Sequence, residues 1–157
     1  MNRSILAVAV TSVVFAFSAM AAEPAKNSGK KHGKDNVIWP ADQIKWEDGP
    51  VPGTKVAKLW GDWTKAGPYG VLIKFDAGVK HDLHHHTQTL KTVIISGTFT
   101  FQPEGGDETR LGPGSYLLQV GGKKHVSGCS AEAECEFFMM SNDKFDMIAE
   151  KPKAEKK

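Results

Sequence analysis

Four histidines fall within six residues, His81, His84, His85 and His86, and His125 follows a later turn. His32 sits apart, in a Lys-rich stretch, and is not a candidate ligand. Imidazole is a versatile ligand for divalent metals. Three of them on one wall suit a first-row ion: Fe, Zn, Cu, Ni or Mn. Spacing decides which can act together. In a strand, residues i and i+2 point the same way. His84 and His86 therefore share a face, and His85 points to the other side. His81 has the parity of His85, if the strand extends that far back. One strand then supplies two ligands, and His125 is the natural third, from a second strand. Taken alone, the run also fits a loose chelator on a loop, or solvated side chains with no role.

The elements that must position these residues read as strands. Few segments show a 3.6-residue period, and most show alternation or short β-rich runs broken by Gly, Pro and Asp. Strands are expected at Val37 to Trp39, Ile44 to Trp46, Val56 to Leu59, Tyr69 to Phe75, Thr92 to Ser96, Thr98 to Gln102, Ser115 to Gln119, His125 to Ser127 and Glu134 to Met140. Turns are expected at Glu47 to Pro50, Lys65 to Pro68, Asp76 to Gly78, Pro103 to Gly106 and Gly112 to Gly114. Nine short strands with frequent turns make an all-β sandwich or barrel. The sequence has no internal repeat, no Gly-rich phosphate loop leading into a helix and no Ser-centred nucleophile elbow. Trp39, Trp46, Trp60 and Trp63 could form a stacking surface for a ligand. Packing of the N-terminal strands against the barrel is the preferred reading, because Trp is mostly buried on average.

Two stretches carry a longer pattern. The first runs Gly78, five residues, His84-x-His86, three residues, Leu90, six residues, Gly97. The second runs Gly114, five residues, Val120-x-Gly122, two residues, His125, three residues, Cys129. Sixteen residues separate them. The spacing resembles the two motifs of the cupin superfamily, G-x5-H-x-H-x(3,4)-E-x6-G and G-x5-P-x-G-x2-H-x3-N. The segment LWGDWTKAGPYGVLIKFDAG before them is similar to the lead-in of small single-domain cupins of the ChrR-like (anti-sigma-factor-like) and acetylacetone-dioxygenase-like branches. The resemblance covers roughly Trp39 to Asp146. It implies a small jelly-roll β-barrel, the cupin double-stranded β-helix, with His84, His86 and His125 as metal ligands. It also implies pairing of two copies through their sheets.

The departures from the pattern matter. Val120 stands for Pro and Cys129 for Asn, which touches turn geometry. Leu90 stands for the Glu that would complete three His and one carboxylate. Three neutral ligands leave the ion's charge uncompensated and more positions open to water or substrate. Gln88 shares the parity of His84 and His86, so its amide oxygen is a candidate weak fourth ligand. The preferred alternative places it in the loop, facing solvent. With Fe(II), open positions would admit an oxygen-chelating substrate beside O2, and with Zn(II) the set resembles a hydrolytic centre. Asp82 and Glu136 are the nearest candidates for a general base, without a geometric reason to choose either. The reaction class is therefore a metal-dependent dioxygenase on a small diketone- or aromatic-like molecule, or non-catalytic metal or ligand binding, as in a sensor or carrier. A vestigial jelly roll is the third reading, disfavoured by retention of all three His. An open apolar cavity at the metal favours the enzyme; a closed site favours storage or sensing.

The chain's 157 residues divide unevenly. Residues 1–21 read as a signal peptide: Arg3 gives the charge, Ile5 to Phe17 the apolar stretch and Ala19-Met20-Ala21 the cleavage site. That stretch is short for a membrane span, so no stable membrane insertion is expected after cleavage, and the compartment is periplasmic or extracellular. Residues 22–36 read as a flexible basic arm, residues 37–149 as the folded domain and residues 150–157 as a flexible basic tail. The formal charge of +2 is an average. The domain carries eleven Lys+Arg against fourteen Asp+Glu, and the ends hold the basic excess. Such a balance does not suit nucleic-acid binding. Export places Cys129 and Cys135 where pairing is expected. They flank the polar turn SAEAE, and a bond across that hairpin is preferred to two free thiols.

Overall fold

The computed structural model describes residues 36–151. The expected leader, nearly all of the arm and most of the tail lie outside the described residues. One 3-10 turn, Ala41–Gln43, precedes eleven strands: β1 Glu47–Asp48, β2 Thr54–Trp60, β3 Tyr69–Phe75, β4 Lys80–His85, β5 Leu90–Ser96, β6 Phe99–Pro103, β7 Thr109–Leu111, β8 Tyr116–Gln119, β9 His125–Cys129, β10 Cys135–Ser141 and β11 Ile148–Ala149. They form two antiparallel sheets. Six strands run in the order β1-β2-β3-β10-β5-β8, and five in the order β11-β4-β9-β6-β7. The architecture is the all-β jelly roll of the cupins.

Alternation explains why these segments are strands with one buried face. In β5, Leu90, Thr92 and Ile94 point inward, and Lys91, Val93 and Ile95 point out. In β10, Cys135, Phe137, Met139 and Ser141 point inward. β3 is buried almost throughout, because it also has an outer cover. The Trp60 ring lies over Gly70, where a side chain would collide with it. Lys74 sits 4.8 Å from the centroid of the Trp46 ring. This cover corrects the expected strands at Val37 to Trp39 and Ile44 to Trp46. Both segments join no sheet. Their tryptophans pack on the six-stranded sheet instead, with Trp39 Nε1 donating to the Leu59 carbonyl at 2.7 Å. The strands that sequence missed are short or polar: β1 takes two residues of the expected turn at Glu47 to Pro50, β7 has three residues and β11 two, and β4 is KHDLHH.

Cys129 and Cys135 are bonded, with Cα atoms 5.8 Å apart. The expected hairpin is not there. β9 belongs to the five-stranded sheet and β10 to the six-stranded one, so the bond ties the two sheets together at a corner. Beside it lie Phe75, Phe99 and Phe137, with ring centroids 5.0–6.1 Å apart. This end of the sandwich is apolar, and its three phenylalanines line one cavity together with His81 and His86. The histidines occupy the other end.

Candidate metal centre

β4 and β9 build the site by pairing. His84 stands opposite His125 in the antiparallel register, so both rings enter the interior side by side. Their centroids are 4.3 Å apart. His86 follows the last residue of β4 and its ring lies 5.1 Å from His84 and 5.3 Å from His125. All three are buried, and one ring nitrogen from each lies within 4.8 Å of the others. The three predicted ligands therefore converge.

The hydrogen bonds decide which nitrogen faces the centre. Each Nδ1 meets a backbone carbonyl: His84 to Asp82 at 2.6 Å, His86 to Asp146 at 2.5 Å and His125 to Lys123 at 3.0 Å. A carbonyl only accepts, so each Nδ1 carries the proton and each Nε2 keeps its lone pair. This is the usual outer arrangement around metal-binding imidazoles. The Nε2 of His125 is fully buried and has no hydrogen-bond partner among the described residues. Burial, with repulsion from neighbouring imidazoles, also keeps the rings neutral. It lowers the pKa of His84 and pushes His86 and His125 down to about 4. Neutral rings with their Nε2 lone pairs uncommitted, that of His125 fully buried, fit a divalent ion.

Other residues fall differently from expectation. His81 shares the interior with His84, not the outer face with His85. One residue of β9 separates Ser127 from His125 while two of β4 separate His81 from His84, and this bulge reverses the parity. His81 packs 4.7 Å from the Phe75 ring. His85 does point away. Its Nδ1 lies 2.7 Å from Glu150, whose other oxygen accepts from Lys124 at 2.8 Å. Glu150 is the first residue of the expected flexible tail, yet this clamp and a bond from its amide to the Leu83 carbonyl hold it in place. Asp82 is exposed, and Glu136 lies on the outer side of β10 against Lys74, so neither faces the histidines. Gln88 is half-buried in the bend between β4 and β5 and does not line the cavity.

The second motif's turn leans on the first. The Gly122 amide donates to the His86 carbonyl at 2.8 Å, and Gly122 has φ of 73°. At Gly121 a Cβ would collide with the Thr87 carbonyl. Glycine at both positions lets the two histidine-bearing segments touch.

A narrow apolar cavity of about 50 Å3 adjoins the centre. Its wall includes His81, His86, Gln119, Met139, Trp63 and Phe145, with the Trp63 and Phe145 rings 5.0 Å apart. Trp63 thus lines the cavity, unlike the other three tryptophans. On the far side of His125 a wider cleft of about 420 Å3 opens, lined by Phe101, Leu118, Gln119, Lys123 and Lys124 among others. Gln119 borders both spaces. Sequence reasoning missed it, although a glutamine at an inward position of the strand YLLQ was a visible signal.

Solved structures share this fold at low identity. The polyketide cyclase RemF from Streptomyces resistomycificus superposes with a TM-score of 0.63 at 16% identity, covering 75% of this chain and 87% of its own. KdgF from Halomonas sp. gives 0.55 at 21%, with 67% and 94% covered. The DMSP lyase DddQ from Ruegeria pomeroyi gives 0.57 at 17%, with 71% and 64% covered. No curated protein matches the sequence significantly. Residues 12–148 match one family model, so this cupin-fold chain with its buried three-histidine cluster belongs to the family described as "Domain of unknown function (DUF4437)".

Proposed function

We propose that this chain is an exported metal-dependent cupin acting on a small molecule at a divalent ion held by His84, His86 and His125. One observation carries the reading: three buried imidazoles whose Nδ1 atoms are all committed to carbonyls, leaving Nε2 lone pairs turned to a common point. An ion there supplies Lewis acidity and, if it is Fe(II), a place for O2 beside an oxygen-chelating substrate. The chain's own residues fix the rings, keep them neutral and exclude bulk water with Trp63, Phe145 and Met139. Oxygenation of a diketone- or aromatic-like compound is the reaction class we favour. The cyclase and lyase among the fold neighbours support small-molecule chemistry in general.

Export rests on the leader-like residues 1–21 and accords with the Cys129–Cys135 bond, which persists in oxidising compartments. Pairing of two copies through the outer face of β5 and β8 would cover Val93, Ile95, Tyr116 and Leu118, all exposed. Sedimentation of the purified chain tests it: a dimer is expected, and a monomer at micromolar concentration rejects it.

A second reading, metal or ligand sensing without turnover, is favoured by the narrowness of the inner cavity. Protein purified from a periplasmic extract without a His tag should carry about one equivalent of one first-row metal by elemental analysis. Loaded anaerobically with Fe(II) and offered acetylacetone as a probe, it should then consume O2. Binding of the metal without O2 uptake favours the sensor reading, and absence of metal rejects both.

A further inference from the structure

The motif carboxylate is replaced by Leu90, which is 1% exposed and packed in the core. Leu90 pairs directly with Gln119 across β5 and β8. Opposed residues in such a ladder share a face, with Cβ atoms roughly 5 Å apart. The alternation of β8 agrees: Tyr116 and Leu118 point out, and Gln119 points in at 7% exposure. Its side chain borders the inner cavity together with His86 and the outer cleft together with His125. Among the described residues its carboxamide has no hydrogen-bond partner. The side chain borders the open outer cleft as well as the inner cavity, so its carboxamide oxygen is free to turn toward a ligand between them.

Resting on the metal reading above, we propose that Gln119 supplies a fourth, neutral oxygen donor to the ion held by His84, His86 and His125. The donor has moved one strand over from position 90. A carboxamide leaves the site's charge at that of the bare ion, so the centre favours anionic oxygen ligands, such as an enolate or carboxylate, in its remaining positions.

The test is a titration of the metal-free full-length mature protein with Zn(II) and with Mn(II), comparing wild type, Gln119→Leu, Gln119→Glu and His125→Ala, with circular dichroism confirming each fold. Gln119→Leu should bind Zn(II) about tenfold more weakly. Gln119→Glu should bind Mn(II) more tightly than wild type, a gain that a packing role for Gln119 would not give. Equal Zn(II) affinity of wild type and Gln119→Leu, with His125→Ala still unable to bind, overturns the Gln119 assignment alone. Failure of wild type to bind either ion overturns the assignment and the metal reading together.

Discussion

The two ends of the sandwich solve opposite problems with the same strands. β9 begins at His125 in the metal centre and ends at Cys129 in the disulfide; β10 begins at Cys135 beside it. At the cysteine end, Phe75, Phe99 and Phe137 fill the interior and a covalent bond holds the sheets together. At the histidine end polar groups sit beside an apolar cavity, and His125 Nε2, His81 Nε2 and Tyr69 Oη are buried without hydrogen-bond partners among the described residues. One end stabilises; the other spends part of that stability on groups that only a ligand satisfies. The difference explains why the bulge, the glycine turn and the Glu150 clamp all gather around the histidines. Aromatic packing on Phe101 and Phe145 leaves the orientation of the ring nitrogens open, and backbone carbonyls fix it.

That contrast can be broken by experiment. The largest effect should come from Phe137→Ala, which removes the ring that touches both Phe75 and Phe99. Loss of a buried phenyl group costs about 3–5 kcal/mol, read from urea unfolding, while the folded fraction keeps the wild-type metal affinity. A weakened metal affinity in the folded protein would mean the ends are coupled. Reducing the Cys129–Cys135 bond should cost roughly 2 kcal/mol in the chain-entropy model, again leaving metal affinity unchanged.

A further effect belongs to the histidine end and depends on pH. His81, His86 and His125 have folded-state pKa values of about 4, set chiefly by burial. In the unfolded chain they titrate near 6.5. Between those values the unfolded state binds more protons, so their contribution is fully present above the unfolded pKa and is lost as pH falls toward 4. Metal-free protein should therefore show a lower urea midpoint at pH 5 than at pH 7, with each such histidine contributing up to about 1.4 kcal/mol per pH unit. Equal midpoints would show that the rings are not kept neutral by the fold.

Much of the fold and the site was legible in the chain. The core strands Tyr69–Phe75 and Cys135–Ser141 announce themselves as short, continuous apolar runs bounded by turn residues. His84, His86 and His125 were legible because cupin-like spacing puts them on facing strands. The rest depended on contacts that no local pattern encodes. The parity of His81 turns on a bulge against β9, and the role of Trp39 and Trp46 turns on the sheet they cover. Gln119 stood out as a glutamine in YLLQ, but its place opposite Leu90 depends on the pairing of β5 and β8. The disulfide pairing was readable, but its place between two sheets was not, since SAEAE looks the same as a hairpin turn or a corner.

The central claim is that three Nε2 atoms, and not a histidine-rich surface, hold an ion. A calorimetric Zn(II) titration of wild type, His84→Ala, His125→Ala and His85→Ala tests it most directly. The account predicts one tight site in wild type, kept in His85→Ala and lost in the other two. Equal loss in all three variants would contradict it, showing that the run binds as a flexible chelator.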